Sequence, residues 1–238
     1  MTGASRGIGL SIAQHLASNG YSVIATSRSE MQDQANLTYL KLDMSKEQSH
    51  FEAVEFALEK FGHLDVYVNN AGYSEWKPID LVTPEFLIQM FSLNTFGYFY
   101  GCKAAASTMS PGSSIINISS LAAKRGSSNN SAYSASKFAI TGLTQSLAKE
   151  LGPKGIRVNA ICPVLISTPG LLQALGEVSA PATDGTEFFL SEFAKRESAL
   201  KTLPSAKDVS DLCLFLASAN AAAITGQSIN VDCGVFPS

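Results

Sequence analysis

Tyr133 and Lys137 are the residues of this sequence whose types and spacing best suit acid–base chemistry. They lie four positions apart in a helical pattern, so both side chains fall on one face of a helix. A free tyrosine has a pKa of about 10 and is a poor acid–base catalyst near neutral pH, but a nearby ammonium group stabilises its phenolate. Lys137 supplies that group, and Ser120 adds a hydroxyl just after a predicted strand. Taken alone, the pair is also compatible with a core aromatic and a solvated lysine.

A glycine-rich run from Thr2 to Gly9 opens the chain and leads directly into a helical pattern, Leu10 to Asn19. Glycines here let the backbone turn tightly and approach a pyrophosphate, whose negative charge the helix N-terminus favours. An ordinary glycine-rich turn is the alternative, since one glycine pattern is a weak signal. The residues of this run that we assign to a dinucleotide are Gly3, Ser5, Arg6, Gly7, Ile8 and Gly9.

A second loop, Asn69 to Gly72, follows the predicted strand that begins at Leu64. Ligands of open α/β sheets bind at the carboxyl ends of strands, so Asn70, Ala71 and Gly72 are further candidates for cofactor contact. In isolation the loop is equally typical of a simple turn, because Asn and Gly tolerate left-handed conformations.

Short apolar runs alternate with longer helical patterns along the whole chain. This alternation predicts βαβ units and an α/β fold of the Rossmann type, a doubly wound parallel sheet with helices on both faces. We expect one domain spanning residues 1–238, with a substrate loop or lid at about 164–204, where the pattern loosens. The predicted strands are Ser22 to Ser27, Thr38 to Leu42, Leu64 to Asn69, Ser114 to Ile118, Arg157 to Ile161 and Ser228 to Val231.

Local signals also place the helix ends. Thr83 and Pro84 suit the N-cap and first position of a long helix that runs toward Thr108. Gly20 and Gly62 stand where helix C-caps belong.

Composition favours a small-molecule site. The chain has 238 residues, 45% of them hydrophobic and 16% charged, and a formal net charge of −3. These values indicate neither disorder nor the electrostatic footprint of a nucleic-acid-binding protein. The four scattered cysteines fit neither a zinc site nor a disulfide framework, so we expect no metal and reduced thiols. With no export signal or membrane-spanning stretch in the sequence, we expect a cytoplasmic protein without membrane contact.

Together, these motifs resemble those of the short-chain dehydrogenase/reductase family. The TGxxxGxG pattern covers Thr2 to Gly9, NNAG covers Asn69 to Gly72, and YxxxK covers Tyr133 to Lys137. The resemblance spans essentially the whole chain. At the level of motifs, the chain is similar to 3-oxoacyl-thioester reductases. Ile224 to Gln227 resembles the family's C-terminal signature.

The resemblance implies a hydride transfer between a nicotinamide dinucleotide and a carbonyl or alcohol. Ser120 would hydrogen-bond the substrate carbonyl, and Tyr133 would donate the proton. Lys137 would lower the pKa of Tyr133 and hold the nicotinamide ribose. Asn94 would position a water that links Lys137 to solvent, although a buried structural amide is the alternative. The resemblance assigns further cofactor contacts to Asp43 and Met44 beside the adenine and to Ile166 and Thr168 beside the nicotinamide, in addition to Tyr133 and Lys137.

Two positions depart from the family pattern. Val164 stands where the family usually has glycine after proline, and Cys233 stands where it often has glycine. The backbone conformation at these two positions is therefore not fixed by the resemblance.

Cofactor choice depends on the residues at the end of the predicted strand Ser22 to Ser27. A carboxylate there would accept the ribose hydroxyls of NAD, whereas this strand ends in Ser27 and Arg28. Arg28 and Arg6 offer two guanidinium groups to a 2′-phosphate, so we expect NADP(H), with NAD(H) possible.

The substrate does not follow from the motifs. A carbonyl reductase or alcohol dehydrogenase is the principal hypothesis, and a sugar, polyol or cyclic-alcohol dehydrogenase of the same family is the second. A dinucleotide-sensing protein without catalysis is a third, but it predicts erosion of the catalytic residues, which are all present.

Family members usually form dimers or tetramers through long helices, here Thr83 to Thr108 and Ser131 to Gly152. The resemblance therefore implies a homodimer or homotetramer. Taken by themselves, Phe96, Phe99 and Tyr100 are interpreted as core residues.

The first strand of such a sheet normally precedes the glycine loop, but here only Met1 precedes Thr2. We therefore expect this strand to be truncated. Its two neighbours would then expose unpaired backbone groups, unless they close up or water fills the gap.

Overall fold

The computed structural model describes residues 1–237. It has an α/β architecture in which every strand pair is parallel, as the alternating pattern predicts. One sheet has the order β1-β2 and the other has the order β3-β4-β5-β6. The strands are β1 Val23–Ser27, β2 Leu37–Lys41, β3 Val66–Asn69, β4 Ser114–Ile118, β5 Arg157–Pro163 and β6 Ser228–Val231.

The segment Met1 to Ala4 joins the two sheets, although no strand precedes the first helix within residues 1–237. On one side, the amide nitrogen of Ala4 donates to the carbonyl oxygen of Thr26, and that of Thr26 donates to the carbonyl oxygen of Met1. On the other side, the amide nitrogen of Thr2 donates to the carbonyl oxygen of Val68. The gap expected between β1 and β3 is therefore bridged at the end nearest the glycine loop. A cavity of about 480 Å³ remains at the other end.

Helices cover both faces of the sheets and carry most of the apolar core. One core cluster packs α1 and α8 against the strands, and a second packs α4 and α5 against them. No helix within residues 1–237 combines the length and apolarity needed to cross a membrane. The helices are α1 Gly7–Ser18, α2 Glu47–Phe61, α3 Pro84–Phe91, α4 Gly97–Ala106, α5 Ser131–Leu151, α6 Pro169–Leu175, α7 Thr186–Glu197 and α8 Ala206–Ala217.

The long helix predicted from Thr83 toward Thr108 has an interruption. Thr83 caps α3, with its hydroxyl accepting a hydrogen bond from the amide of Phe86. A π-helical segment, Ser92–Phe96, then separates α3 from α4. Such segments insert an extra residue into a helical turn and often lie at functional sites. This one contains Asn94.

Exposure of the α3–α4 region corrects one interpretation. Phe96 and Phe99 are 46% and 49% exposed, and Tyr100 is half-buried, so none of the three is a buried core residue. The buried positions of α4 are taken instead by Tyr98, Cys102 and small residues. Sequence hydrophobicity alone did not indicate which face of this helix turns inward.

Candidate active site

The glycine loop and the Asn69 to Gly72 loop are locked together by hydrogen bonds. The side-chain nitrogen of Asn70 donates to the carbonyl oxygens of Thr2 and Gly3 at 3.0 and 2.9 Å. In return, the hydroxyl oxygen of Thr2 accepts from the backbone amides of Asn70 and Ala71 at 2.9 and 3.1 Å. The Asn69 to Gly72 loop therefore fixes the position of the glycine loop through these hydrogen bonds.

The glycines of the first loop have specific steric reasons to be glycine. Gly3 and Gly7 have φ values of +64° and +59°, in the left-handed region that favours glycine. A Cβ on Gly9 would collide with the carbonyl oxygen of Gly3 and lie 2.5 Å from the side-chain nitrogen of Asn70. The glycine loop thus packs tightly against Asn70 on one side and lines the cavity on the other. Helix α1 begins there without a side-chain N-cap, so no capping side chain occupies the amides of its first turn.

One cavity of about 1070 Å³ runs from this loop past the carboxyl ends of the strands. Among residues 1–237, its lining includes every predicted cofactor residue and three of the four predicted catalytic residues. Asn94 is completely buried beneath it. The predicted residues in the lining are Gly3, Ser5, Arg6, Gly7, Ile8, Gly9, Arg28, Asp43, Met44, Asn70, Ala71, Gly72, Ser120, Tyr133, Lys137, Ile166 and Thr168.

Ser120, Tyr133 and Lys137 come together in the middle of this cavity. Tyr133 and Lys137 lie on one face of α5, with the ammonium nitrogen 5.9 Å from the centre of the tyrosine ring. Ser120 follows β4, and a hydrogen bond between its hydroxyl and Tyr133 favours the phenolate. The Ser120 hydroxyl also accepts from the amide of Ala122 at 3.1 Å, which orients it.

Burial dominates the ionisation of this group. It raises the pKa of Tyr133 above its usual value, and the hydrogen bond from Ser120 opposes it only partly. Burial lowers the pKa of Lys137 to about 8, against the opposing influence of Cys162. The family resemblance implies that Lys137 lowers the pKa of Tyr133. In this structure the desolvation of the phenol is the larger effect on the pKa of Tyr133.

Asn94 uses its side chain to hold a loop rather than to contact Lys137. Its oxygen accepts from the amide of Tyr73 at 3.0 Å, and its nitrogen donates to the carbonyl oxygen of Tyr73 at 2.8 Å. Its nitrogen also lies 3.4 Å from the hydroxyl of Ser136 on α5. The geometry therefore favours the structural alternative for this side chain.

Comparisons with known proteins identify the family of the chain. Residues 3–236 match a family profile described as Enoyl-(Acyl carrier protein) reductase. L-2,3-butanediol dehydrogenase of Corynebacterium glutamicum is 35% identical over 99% of this chain and 97% of its own length. Diacetyl reductase [(S)-acetoin forming] of Staphylococcus epidermidis is 35% identical over 99% of this chain and 96% of its own length. The chain belongs to the short-chain dehydrogenase/reductase family. It is an oxidoreductase of the kind that acts on CH–OH or C=O groups with a nicotinamide cofactor.

Solved structures of this family superpose closely on the chain. Aldohexose dehydrogenase of Thermoplasma acidophilum matches with a TM-score of 0.90 and 32% identity, covering 100% of this chain and 95% of that one. A 3-ketoacyl-(acyl-carrier-protein) reductase of Brucella melitensis, solved with NADH, matches with a TM-score of 0.85 and 28% identity over 98% of this chain and 96% of that one.

The residues present fit the dinucleotide that the family binds. The close-packed glycine cradle leaves no room for a Cβ at Gly9, and the uncapped start of α1 offers backbone donors to a pyrophosphate. At about 1070 Å³ the cavity lies at the upper end of the range for ligand pockets, about 300 to 1,000 Å³, which suits a dinucleotide together with a substrate.

The expected adenosine end of the cavity is built from β1 and the residues after β2. Burial tends to raise the pKa of Asp43, but hydrogen bonds from Ser45 and the nearby charges of Lys46 and Arg28 lower it overall. His50 holds the carbonyl oxygen of Met44 at 2.9 Å through one ring nitrogen. Its other ring nitrogen lies 2.9 Å from the hydroxyl of Tyr67, inside the core. His50 therefore ties this end of the cavity to the sheet, and no motif had indicated it.

The two departures from the family pattern have different outcomes. Cys233 has a φ of +53°, so it adopts the left-handed conformation that a glycine would take more easily. Val164 needs no such conformation, and its amide donates to the carbonyl oxygen of Val231 at 3.1 Å.

The segment predicted as a substrate loop or lid, at about 164–204, lines the opposite end of the cavity. This segment contains two helices, α6 and α7. An apolar cluster packs Leu175 of α6 and its neighbours in this segment against Trp76. Phe189 and Phe193 of α7 line the cavity. An ion pair of 3.0 Å between Arg125 and Glu197 joins the end of α7 to the loop that follows Ser120.

Proposed function

We propose that this enzyme transfers hydride between NADP(H) and a small carbonyl or alcohol, with Tyr133 as general acid and base. The observation that carries the proposal is the meeting of Ser120, Tyr133 and Lys137 in the cavity that the glycine cradle opens into. When bound, the nicotinamide would supply the hydride. The protein would supply orientation and proton transfer.

Each of the three side chains has a distinct part in a reduction. Ser120 hydrogen-bonds the carbonyl oxygen and orients it toward Tyr133. Tyr133, kept protonated by burial, donates its proton to that oxygen as negative charge develops. Lys137 brings a positive charge beside the tyrosine ring, which stabilises the phenolate once the proton has left.

Arg28 and Arg6 support a preference for NADPH. Both side chains are exposed and line the expected adenosine end of the cavity. Exposed guanidinium groups can reorient to form paired hydrogen bonds with a 2′-phosphate. Asp43 lies in the same region, but its oxygen accepts from the amide and hydroxyl of Ser45.

Small molecules with neighbouring oxygen atoms are the substrates that we favour. The relatives include a butanediol dehydrogenase and diacetyl reductases, each about one third identical over nearly the whole chain. The lid, residues 164–204, would close over such a substrate and exclude water, with Phe189 and Phe193 as its apolar wall. The match to an aldohexose dehydrogenase supports a sugar as the second candidate.

We further propose that the enzyme is a homodimer or homotetramer. Ile88, Phe96 and Phe99 on the α3–α4 segment are exposed, as is Phe138 on α5. Large apolar side chains exposed on the α3–α4 segment and on α5 favour a protein–protein interface.

A substrate panel with a catalytic variant tests this function. Diacetyl, acetoin, an aldohexose and a 3-oxoacyl thioester are offered with NADPH or NADP, and absorbance of the reduced cofactor is followed. We expect turnover of the dicarbonyl or hydroxyketone, and its loss in Tyr133→Phe with NADPH affinity retained. Tyr100→Phe, which removes a hydroxyl outside the cavity, is the matched control. Undiminished turnover by Tyr133→Phe would refute the role of Tyr133. Preferred turnover of the aldohexose or the 3-oxoacyl thioester would contradict the proposed substrate class.

A further inference from the structure

Tyr98 is a buried tyrosine of α4 whose hydroxyl lies beside the ammonium group of Lys137. Its side chain is 1% exposed, and its oxygen is 3.2 Å from the lysine nitrogen. The same hydroxyl donates to the carbonyl oxygen of Ile118, at the end of β4, over 2.6 Å. Lys137 donates to that carbonyl as well, over 3.1 Å. The Tyr98 hydroxyl, the Lys137 ammonium group and the Ile118 carbonyl therefore each make a hydrogen bond to the other two.

The direction of each hydrogen bond follows from the number of protons. A phenol has one proton, and Tyr98 gives it to Ile118, so its oxygen can only accept from Lys137. An ammonium group has three donors, of which Tyr98 and Ile118 take two. The third remains for the cavity that Lys137 lines.

We infer that Tyr98 is a positioning residue for Lys137, which keeps the ammonium group charged and directs its remaining donor into the active-site cavity. The inference rests on the proposed role of Lys137. Asn94, one helical turn before Tyr98, does not take this part, because its side chain is bound to the backbone of Tyr73. A hydroxyl carried by the protein thus lies where Lys137 needs an acceptor.

The titratable groups that face Lys137 come from three elements: Tyr98 from α4, Tyr133 from α5 and Cys162 from β5. Burial raises the pKa of Tyr98 well above its usual value, and Tyr133 and Cys102 add to this effect, so Tyr98 stays neutral. Burial already lowers the pKa of Lys137 to about 8. Removing a neutral acceptor from a buried ammonium favours its uncharged form, so the pKa of Lys137 must fall further.

The Tyr98→Phe variant tests the inference through the pH dependence of carbonyl reduction. We expect the alkaline limb of kcat/KM to move to lower pH by about one unit, since a hydrogen bond to a charged group is worth about a tenfold change in equilibrium. Tyr100→Phe, two positions away on the same helix, is the matched control and should keep the wild-type profile. A lower melting temperature in Tyr98→Phe with an unmoved profile would mean that the hydroxyl is only structural, and the inference would be wrong.

Two further measurements separate the possible failures. If Lys137→Ala keeps wild-type turnover, the proposed role of Lys137 fails. If Lys137→Ala is inactive while Tyr98→Phe keeps the wild-type pH profile, only the inference about Tyr98 fails. Should Tyr98→Phe not fold, NMR of the wild-type enzyme must show a nuclear Overhauser contact between the Lys137 ε-methylene and the Tyr98 ring, and its absence would overturn the inference.

Discussion

Asn70 and Gly3 are joined by a hydrogen bond of 2.9 Å from the side-chain nitrogen of Asn70 to the backbone carbonyl oxygen of Gly3. The bond connects the loop after β3 to the glycine loop before α1. Gly9 lies against both partners, so the shape of the cradle depends on all three residues.

Gly9→Ala should therefore weaken cofactor binding. The added methyl group would collide with the Gly3 carbonyl and crowd Asn70, and relief of such overpacking typically costs about 1 to 3 kcal/mol. We expect the Kd for NADPH to rise by about tenfold or more, as measured by fluorescence titration. Gly152→Ala is the control, because Gly152 has helical dihedral angles and a Cβ there would have no neighbouring atom within 4 Å. Equal NADPH affinity in Gly9→Ala and wild type would contradict this account of the cradle.

Arg28→Asp should shift cofactor preference from NADPH toward NADH. The change replaces an attraction for the 2′-phosphate with a repulsion and adds an acceptor for the ribose hydroxyls. We expect the kcat/KM for NADPH divided by the kcat/KM for NADH to fall by about tenfold or more. Lys154→Asp makes the same change of charge at an exposed site outside the cavity and should leave the ratio unaltered. An unaltered ratio in Arg28→Asp would mean that Arg28 does not recognise the phosphate.

His50 should make the fold less stable in mild acid. Burial lowers its pKa below the usual 6.5, and a hydrogen bond to the carbonyl oxygen of Met44 opposes this only partly. Between that lowered pKa and 6.5 the unfolded chain binds more protons than the folded one, so stability falls as the pH drops through this window. The slope contributed by one group is at most about 1.4 kcal/mol per pH unit.

Comparison with His50→Gln isolates this contribution. We expect the melting temperature of the wild type to fall more steeply than that of His50→Gln as the pH is lowered from 7 to 5. His63→Gln, which changes an exposed histidine, should follow the wild-type curve. Parallel curves for wild type and His50→Gln would show that His50 is not the group responsible.

Phe99→Glu should disrupt the proposed assembly. Phe99 is 49% exposed on α4, and a carboxylate placed in an apolar interface would be desolvated without a partner. We expect light scattering to show a dimer or tetramer for the wild type and a smaller species for the variant. Phe188→Glu, at a side chain 58% exposed on α7, is the control. A wild-type monomer at micromolar concentration would refute the assembly itself.

Local sequence determined most of the elements and the central pair of the site. All six predicted strands are present, with ends shifted by no more than two residues. Tyr133 and Lys137 share a face of α5 because a spacing of four residues fixes that geometry in any helix. Thr83 caps its helix for an equally local reason, since its hydroxyl reaches an amide only three residues away.

Tertiary structure alone decided which distant groups meet. The contact of Tyr98 with Lys137 joins residues 39 positions apart, and no periodicity within α4 distinguishes that tyrosine from its exposed neighbour Phe99. The use of Asn94 to hold Tyr73 depends likewise on a loop 21 residues away. Hydrogen bonds and burial of this kind arise only when helices pack on the sheet, because the partner, the loss of solvent and hence the pKa belong to the assembled fold.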